Sequence, residues 1–456
     1  MRGSDIREEM VKNILVLGSG LDLSIALEFC KKGGSDVKVY YYSSWSEGFP
    51  QLDKYLVGYG FERFGLEIVK DFYRLLRSIW DIDKEDWLVV FTDNNFGDLP
   101  DMLRDEGFIV FGSGLGGSSL ELDRAWGKSV LSEFVDVPDF KSFHNLNEVE
   151  DYLRGEDGSE RFVLKVDVVS GSIDTVVGTV DELLSEIDRV DDVERGLELN
   201  WILERFIDGV EVAIGAFFNG NKFLFPVVRS FESEWGGYLI WGSKDIIFEE
   251  TLGKMVSFLS GLGYNGMVDI NGILSNDGKF YALEWTAGRF GYPWGRIYTR
   301  MINNIVDVLD SIARGKDCDI DISYNCAYFI SAFSDFDFSK MPENFYDCND
   351  LYKLDKEDDK GIVYDRVMIS EDVLYSLPGY NRMFQIVGFG NDFDSAFKNA
   401  KEMFSKCKMM CDFKNKFDEL YKDLNKRLNL LDNILKNKEK LEDTNDGDRI
   451  PANNSK

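Results

Sequence analysis

Histidine is almost absent from this sequence, and cysteine is sparse and scattered. His144 is the only histidine among 456 residues, so a catalytic triad or metal site that needs histidine would depend on this one side chain. The six cysteines form no CxxC pair. Cys407 and Cys411 could share one helix face, but no second pair or histidine completes a zinc site. We therefore expect a reduced protein of the cytoplasm.

Long apolar runs and an excess of basic residues are also missing. No run is long enough to cross a bilayer, and the N-terminus lacks the apolar core of a secretion signal, so we expect no membrane association. Lys and Arg number 52 against 82 Asp and Glu, which gives a net charge of −30. This acidity argues against direct binding to a nucleic-acid backbone, and an anionic substrate would need a local basic pocket. Hydrophobic content of 44% indicates an ordinary globular protein with several domains.

The first pattern that is present is an alternation of strand-like and helix-like segments. The strand-like segments are 14–17, 37–42, 87–91 and 108–111, and the helix-like ones are 21–32, 66–79 and 99–105. This alternation predicts a doubly wound α/β domain at the N-terminus. Gly18-Ser19-Gly20 follows the first strand, but without a third glycine it is a weak nucleotide-binding signal.

Further along, two strands are predicted around a tight turn, Ser275 to Gly278, whose residues suit a hairpin. Counting outward from the centre of the turn sets Leu274 against Lys279. By the same count Asp269 faces Glu284 on one side of the hairpin. Two carboxylates so close would repel each other, and a divalent cation such as Mg²⁺ would remove the repulsion. Alternatively the turn is one residue longer, the register shifts, and one acid points to solvent.

Two lysines and two glutamates occur in patterns that permit an anion or nucleotide site. Lys165 lies inside an apolar strand, where its ammonium needs an anion such as phosphate, unless this is an edge strand and the lysine faces water. Lys128 lies on a helix that follows the glycine-rich loop Gly112–Gly117, and on spacing alone it is a solvated lysine. Glu204 and Glu211 flank a turn, and taken alone they are surface acids.

A family resemblance gives these residues a common meaning. The segment Glu284-Trp285-Thr286-Ala287-Gly288-Arg289-Phe290-Gly291 resembles the metal-binding end of an ATP-grasp ligase, and it is most similar to that of phosphoribosylamine–glycine ligases (glycinamide ribonucleotide synthetases). Further matching residues occur in the family's order: Lys128, Lys165, Glu204, Glu211 and Asp269. The resemblance covers roughly residues 12 to 410. It implies an α/β ATP-grasp fold with an N-terminal doubly wound, Rossmann-like domain and a C-terminal α+β capping domain.

The resemblance also implies domain boundaries. The chain would divide into a Rossmann-like domain at 1–112, an ATP-grasp domain at 113–325, a capping domain at 326–410, and a helical and disordered tail at 411–456. Within the ATP-grasp domain, the lid subdomain would span about 128–203 and the large subdomain about 204–325. In the tail, Phe413 to Leu441 has a charged helical pattern with an apolar stripe, and Asp443 to Lys456 is expected to be disordered. The stripe would dock on a partner or, as we favour, on the chain itself.

Each site residue then has an implied role. ATP would be bound by Lys128, Lys165, Ser170, Gly171, Ser172, Glu204, Arg205, Phe206, Ile207 and Glu211. Within this set the lysines would hold phosphates, the serine–glycine loop would close over them, the segment after Glu204 would bind adenine, and Glu211 would bind ribose. The divalent cation, Mg²⁺ or Mn²⁺, would be held by Asp269, Glu284 and Thr286. Arg229 would contact the substrate or the γ-phosphate, and Arg289 would orient the acyl intermediate.

The implied reaction is ATP-dependent amide formation through an acyl phosphate. The substrates would be small molecules, an amino acid such as glycine and an amine, and the ligase would serve purine biosynthesis as a cytoplasmic monomer or homodimer. Such a reaction requires no protein nucleophile, which agrees with the near absence of histidine.

Several residues depart from the family pattern. Thr286 stands where the family has asparagine, and the loop 170–172 is poorer in glycine than the family loop and lacks its lysine. Gly20-Leu21-Asp22-Leu23 and Thr92-Asp93-Asn94 replace family motifs where the phosphoribosylamine would be expected to bind. Two alternatives follow: a ligase that joins an amino acid to a different amine, or a nucleotide-binding homologue without catalysis.

Overall fold

The computed structural model describes residues 11–44, 56–81, 83–166, 175–190, 198–233, 235–290, 294–333, 346–347, 361–370, 373–377, 382–406 and 413–447. These residues form two compact units. The described residues of the first unit fall within 1–118, 214–269 and 286–424, and those of the second within 119–213, 270–285 and 425–456. Each unit is therefore assembled from segments that are distant in the sequence.

The N-terminal segment forms a five-stranded parallel sheet in the first unit. Its strands are β1 (Asn13–Gly18), β2 (Lys38–Ser43), β3 (Leu66–Ile68), β4 (Trp87–Phe91) and β5 (Ile109–Phe111), in the order β3-β2-β1-β4-β5. The helices of this segment are α1 (Leu23–Lys32), α2 (Phe72–Ile79) and α3 (Leu99–Asp105). The side chains of β4 and β5 are buried throughout, as expected for strands covered on both faces.

The expected helix at 66–79 is wrong in its first part. Leu66 pairs with Val39 of β2, so this stretch is an added edge strand rather than helix. The helix begins only at Phe72, because the Asp71 carboxylate accepts a hydrogen bond from the backbone N–H of Arg74 and caps the helix N-terminus.

The helix expected after Gly112–Gly117 is also divided. It consists of α4 (Leu115–Leu122) and α5 (Arg124–Phe134). Asp123 separates them, since its side chain caps α5 by accepting a hydrogen bond from the backbone N–H of Trp126.

A four-stranded sheet forms the core of the second unit. Its strands are β6 (Phe140–Phe143), β7 (Arg161–Val166), β8 (Thr175–Thr179) and β9 (Trp201–Arg205), in the order β6-β9-β7-β8, and they pair antiparallel. Helices α6 (Leu146–Leu153) and α7 (Val180–Ile187) bury Val149, Leu153 and Leu183 against Leu164 and Leu203 of the sheet. β7 lies inside this sheet, so Lys165 is not on an edge strand.

The middle of the chain contributes most of an eight-stranded sheet. The strands introduced here are β10 (Gly209–Phe218), β11 (Val227–Ser233), β12 (Gly236–Gly242), β13 (Gly266–Ser275) and β14 (Phe280–Ala287). The accompanying helices are α8 (Ile246–Glu250), α9 (Val256–Gly261), α10 (Arg296–Met301) and α11 (Ile305–Ala313).

The C-terminal segment completes this sheet and adds a small one. Its strands are β15 (Cys326–Phe333), β16 (Tyr346–Asp347), β17 (Ile362–Tyr364), β18 (Val367–Ser370), β19 (Val373–Ser376) and β20 (Arg382–Gly390). The large sheet has the order β14-β13-β10-β11-β12-β15-β20-β17, and the small one β16-β19-β18. Two helices follow, α12 (Phe393–Lys406) and α13 (Phe413–Gly447).

The last helix docks on the chain itself, as the apolar stripe indicates. Phe417 and Leu424 are buried, and the Phe417 ring packs beside Tyr328 of β15 and Phe397 of α12. The helix extends through Gly447, so the expected disorder from Asp443 onward is wrong for its first residues. Nowhere in the described part of the chain is there a helix long and apolar enough to span a membrane.

Candidate active site

Three charged side chains meet inside the second unit. Lys128 projects from α5, Lys165 from the end of β7, and Glu204 from β9. Val163 lies opposite Glu204, so Lys165, two residues on, shares its face of the sheet. The Nζ atoms of Lys128 and Lys165 lie 2.9 Å and 3.2 Å from the two carboxylate oxygens of Glu204. The structure therefore brings three of the predicted ATP-binding residues together.

In this buried cluster the two ammoniums share one carboxylate within 3.2 Å. Lys128 is 3% exposed and Glu204 1% exposed. Burial lowers the pKa of Lys128 and nearby Lys165 lowers it further, while Glu204 and Glu284 oppose the shift. From the described residues Glu204 Oε2 receives no aligned hydrogen bond, despite its proximity to Lys165. An anion beside the two ammoniums would be attracted by both of them.

The predicted adenine segment follows Glu204 directly. The backbone N–H groups of Arg205 and Phe206 donate to the carbonyls of Asp139 and Arg161. Among the described residues none accepts a hydrogen bond from the N–H of Ile207. Ile207 thus offers a free backbone donor of the kind that a purine ring nitrogen would accept.

The side chains of this segment have other partners. The Arg205 guanidinium pairs with Glu160 at 3.2 Å, and the Arg161 guanidinium lies over the Phe206 ring at 3.8 Å. Glu211, on β10, is exposed. Desolvation by the surrounding protein raises its pKa, Glu284 raises it further, and Arg427 opposes the rise.

Glu284, on β14, is a partly buried carboxylate whose charge acts on Lys128 and opposes the lowering of that lysine's pKa by burial. In the described part of the chain it makes no ion pair, and it accepts a hydrogen bond from the side-chain amide of Asn271 at 3.4 Å. The same strand is tied to α5, because Trp285 Nε1 donates to Gly127 O at 3.0 Å and Lys128 Nζ donates to Ala282 O at 3.4 Å.

The turn of this hairpin differs from the predicted one. Ser275 N–H donates to Lys279 O, and Gly278 N–H donates to Ser275 O. Ser275 rather than Leu274 therefore faces Lys279, and the turn is one residue longer than counted. Gly278 has φ +84°, a left-handed conformation that closes this longer turn.

Three more predicted residues lie together in the first unit. Asp269, Thr286 and Arg289 line a cavity of about 10 Å³, roughly the size of one water. Asp269 is buried, and a Cβ at Gly215 would lie only 2.7 Å from its Oδ2, so glycine makes room for this carboxylate. Tyr298 also lines the cavity, and its buried hydroxyl has no hydrogen-bond partner in the described part of the chain.

The two arginines predicted to contact substrate have acidic neighbours in the first unit. Arg289 Nε lies 3.7 Å from Asp93 Oδ1, a loose pair. Arg229 lies 2.6 Å from Asp245, which also caps α8 through the backbone N–H groups of Ile247 and Phe248. Arg229 is therefore anchored to a helix end and does not line the cavity beside Asp269.

The first βα turn contains its own anion. The Asp22 carboxylate accepts hydrogen bonds from Ser19 N at 3.1 Å, from the Tyr41 hydroxyl at 2.7 Å and from the Thr92 hydroxyl. A Cβ at Gly18 would overlap this carboxylate. Burial raises the pKa of Asp22, and its hydrogen bonds lower it. The Ser19 N–H of this turn is thus already used by the protein.

A metal site built from carboxylates alone does not occur within the described ranges. They contain no group of three or more His, Cys, Asp or Glu side chains placed to hold a metal ion. Hydroxyl, amide or substrate oxygens would have to complete the coordination of a cation. The predicted loop 170–172 and the pair Cys407 and Cys411 lie outside the described residues.

Solved structures share the fold, whereas no family model and no curated protein matches the sequence. The chain is similar to the phosphoribosylamine–glycine ligase of Thermotoga maritima, with 18% identity, a TM-score of 0.61, and coverage of 87% of this chain and 97% of that one. The chain is also similar to the N5-carboxyaminoimidazole synthetase of Staphylococcus aureus complexed with ADP. The identity is 13% and the TM-score 0.54, and the match covers 87% of this chain and 98% of that one. A third similar structure is the biotin carboxylase domain dimer of Hydrogenobacter thermophilus 2-oxoglutarate carboxylase, in complex with MgADP, ADP and bicarbonate. The identity is 13% and the TM-score 0.57, and the match covers 88% of this chain and 91% of that one.

These likenesses establish the fold. All three proteins are ATP-grasp enzymes, so the predicted α/β ATP-grasp fold, with its doubly wound N-terminal and α+β C-terminal parts, is confirmed. The domain boundaries and the roles of individual residues stay predictions. Asn271, Tyr298 and the buried role of Asp22 were not anticipated from the sequence.

Proposed function

We propose that this protein is an ATP-dependent carbon–nitrogen ligase that forms an amide through an acyl phosphate. The observation that carries this proposal is the buried cluster of Lys128 and Lys165 around the single carboxylate of Glu204. Two buried ammoniums within 3.2 Å of one shared carboxylate are suited to bind a polyphosphate, whose negative charge would add to the attraction that Glu204 and Glu284 supply.

The remaining ATP contacts follow from the same unit. The free N–H of Ile207 would donate to the adenine ring, and Glu211 would accept hydrogen bonds from the ribose hydroxyls. ADP or MgADP in two of the similar structures supports a nucleotide in this fold. Ser170, Gly171 and Ser172 remain candidates to close over the phosphates.

A divalent cation fits the oxygen-rich residues at the hairpin. Glu284 is a partly buried carboxylate without an ion pair in the described part of the chain, and Asp269 and Thr286 line one cavity. Glu284 in the second unit, and Asp269 and Thr286 in the first, remain the candidate ligands of Mg²⁺ or Mn²⁺. Bound there, the cation would offset negative charge on the phosphates during transfer.

The chemistry would proceed in two steps. A carboxylate oxygen of the amino acid attacks the γ-phosphorus of ATP, and ADP leaves. The amine then attacks the acyl carbon, the carbon–nitrogen bond forms, phosphate leaves, and the nitrogen loses a proton. Arg289, whose pairing with Asp93 is loose, would orient the acyl intermediate with its guanidinium fork.

The function is tested by measuring ADP release with Mg²⁺, ATP and glycine, with and without freshly generated phosphoribosylamine. A second series replaces these substrates with pooled amino acids and amines. Turnover that requires a carboxylate and an amine together supports the ligase. MgATP binding without turnover under any condition would contradict it and identify a nucleotide-binding homologue.

One observation favours a different amine acceptor over phosphoribosylamine. Asp22 occupies the Ser19 N–H of the first βα turn and adds negative charge close to Asp93. A phosphate group brought to this turn would meet this carboxylate and would find the Ser19 N–H already bonded. The same assay separates the two candidates, since an acceptor without phosphate would give turnover where phosphoribosylamine gives none.

A further inference from the structure

The last helix, α13, belongs in part to the unit that contains the proposed nucleotide site. Its residues from Asn425 onward fall within the second unit. Leu431 and Ile434 in this part are 1% and 6% exposed, so it is packed against protein rather than surrounded by water. The family resemblance covers roughly residues 12 to 410, and α13 lies beyond it. A role of this helix in the site would therefore be additional to what the resemblance implies.

One face of α13 is the packed one. Arg427, Leu431, Ile434 and Lys438 recur at steps of four, three and four residues, which places them on one side of the helix. A Cβ at Gly278 would lie 3.7 Å from carbons of the Lys438 side chain, so Lys438 lies on the turn of the β13–β14 hairpin. Arg427 lies three helical turns before Lys438, which is about 16 Å along the helix axis.

Glu211 lies at a similar distance from the same turn. β10 and β13 are neighbours in the large sheet, and a Cβ at Gly209 would overlap the carbonyl oxygen of Leu274 and lie 2.8 Å from the Cα of Ser275. The start of β10 is therefore beside the end of β13. Glu211 is two residues farther from the turn, roughly 15 Å away along the strands. A helix that runs along the strands from this turn brings Arg427 to the level of Glu211.

The charges that act on the Glu211 carboxylate agree with this placement. They are those of Arg427 on α13, Glu284 on β14 and Lys165 on β7. Burial raises the pKa of Glu211, and Arg427 opposes this rise more strongly than Lys165 does. Among the described residues none forms a hydrogen bond or an ion pair with this carboxylate. Arg427 thus attracts Glu211 from beyond contact distance and leaves both carboxylate oxygens available.

We propose that Arg427 positions the Glu211 carboxylate for the ribose of the nucleotide, so that α13 forms part of the nucleotide site. This rests on the proposed function, because it assumes that Glu211 accepts hydrogen bonds from the ribose hydroxyls. Arg427 is a positioning residue, since its guanidinium directs the carboxylate by charge and does not occupy its oxygens. The opposite hypothesis is that Arg427 closes onto Glu211 when ribose is absent and competes with it. Positioning predicts that loss of Arg427 weakens recognition of the ribose, and competition predicts that it strengthens this recognition.

The experiment measures the binding of ADP and of dideoxy-ADP, the analogue without the two ribose hydroxyls, to the full-length protein with Mg²⁺ by calorimetry. The ratio of the two dissociation constants isolates recognition of the hydroxyls. Wild type should bind ADP about tenfold or more tightly than dideoxy-ADP, because the carboxylate accepts charge-assisted hydrogen bonds. Arg427→Gln should reduce this preference about threefold or more and leave the affinity for dideoxy-ADP within about twofold. Arg427→Lys keeps the charge and should keep most of the preference.

Two lysines of the same helix provide matched controls. Lys426→Gln removes one positive charge from the exposed side of the turn that carries Arg427, and Lys438→Gln removes one from the packed face at the hairpin turn. Both variants should keep the wild-type preference for ADP. Circular dichroism and the thermal midpoint show whether each variant is folded. A loss of helix packing without a role at the ribose would weaken the binding of both nucleotides equally and leave the ratio unchanged.

A preference for ADP in Arg427→Gln that equals or exceeds that of wild type would overturn the inference. Glu211→Gln separates this failure from a failure of the proposed function. If Glu211→Gln loses the preference and Arg427→Gln retains it, only the role of Arg427 is wrong. If wild type binds the two nucleotides equally, or Glu211→Gln retains the preference, Glu211 does not bind ribose and the inference fails with that assignment. If neither nucleotide binds, the proposed nucleotide site itself is wrong.

Discussion

The indole N–H of Trp285 donates a hydrogen bond to the carbonyl oxygen of Gly127, with 3.0 Å between the two heavy atoms. Trp285 follows Glu284 on β14, and Gly127 precedes Lys128 on α5. The bond therefore fixes the strand of the proposed metal residue against the helix of the proposed phosphate residue. Both partners are buried, so water cannot replace the bond without a local opening.

Trp285→Phe should destabilise the protein and weaken nucleotide binding. The substitution keeps an aromatic ring but removes the indole donor to Gly127 O, and the net loss of one hydrogen bond costs about 0.5–1.5 kcal/mol. The thermal midpoint should fall, and the dissociation constant for MgADP should rise several-fold because Lys128 is less firmly placed. Calorimetry measures both quantities.

Trp241→Phe is the matched control for this variant. Trp241 is also buried, but its indole N–H has no hydrogen-bond partner in the described part of the chain. The same loss of volume there removes no hydrogen bond. Equal effects of the two substitutions on MgADP binding would contradict the role of the Trp285 bond.

Local patterns were sufficient for most of the N-terminal sheet, because there they agree with the tertiary packing, whereas the ATP-grasp fold as a whole was predicted from the family resemblance. The continuous apolar run at Ile14 to Leu17 predicts a buried parallel strand, and it lies centrally in the first sheet. The prediction of one helix over 66–79 was wrong at its start. The three residues of the edge strand β3 are too few to show a periodicity of their own, and their pairing with β2 determines their conformation.

For the site, the sequence indicated residue types more reliably than their partners. Lys165 in an apolar strand predicts a buried ammonium, yet nothing local identifies Glu204 as the carboxylate shared with Lys128. Asn271 could have been found from the two-residue alternation that places it on the face of Asp269. Tyr298 had no such signal, since only the packing of α10 brings its hydroxyl to the cavity.

Glu204→Gln should destabilise the protein strongly. Removal of the shared carboxylate leaves two ammoniums unbalanced in a buried place, and breaking a buried pair in this way costs about 3–5 kcal/mol. Urea unfolding followed by tryptophan fluorescence measures the loss. Glu160→Gln is the control, because its pair with Arg205 is partly exposed and should contribute at most about 1 kcal/mol.

Inorganic phosphate should partly rescue Glu204→Gln. If the two ammoniums bind anions, phosphate stabilises the folded variant by mass action and raises its thermal midpoint more than that of wild type. Equal shifts in the two proteins would mean that Lys128 and Lys165 do not form an anion site.

The raised pKa of Glu211 should make stability depend on pH in a predictable direction. Below its usual value of 4.5 the group is protonated in both the folded and the unfolded state. As the pH rises above 4.5, the unfolded state releases its proton first, so folding loses stability until Glu211 also ionises in the folded state. Wild type should therefore lose stability relative to Glu211→Gln across this window and run parallel to it at higher pH.

Glu182→Gln is the control, because the pKa of Glu182 is shifted in the opposite direction and its effect on stability should depend on pH with the opposite sign. Glu182 accepts a hydrogen bond from Thr179 N–H in the capping box of α7, which lowers its pKa. The stability that Glu182 contributes is present above pH 4.5, the usual pKa of the group, and is lost as the pH falls through its lowered pKa in the folded state. Urea unfolding of wild type and both variants between pH 3 and pH 8 checks the two slopes, with those limits set about the reference pKa of glutamate. The same sign for both variants would show that Glu211 is not desolvated by its surroundings.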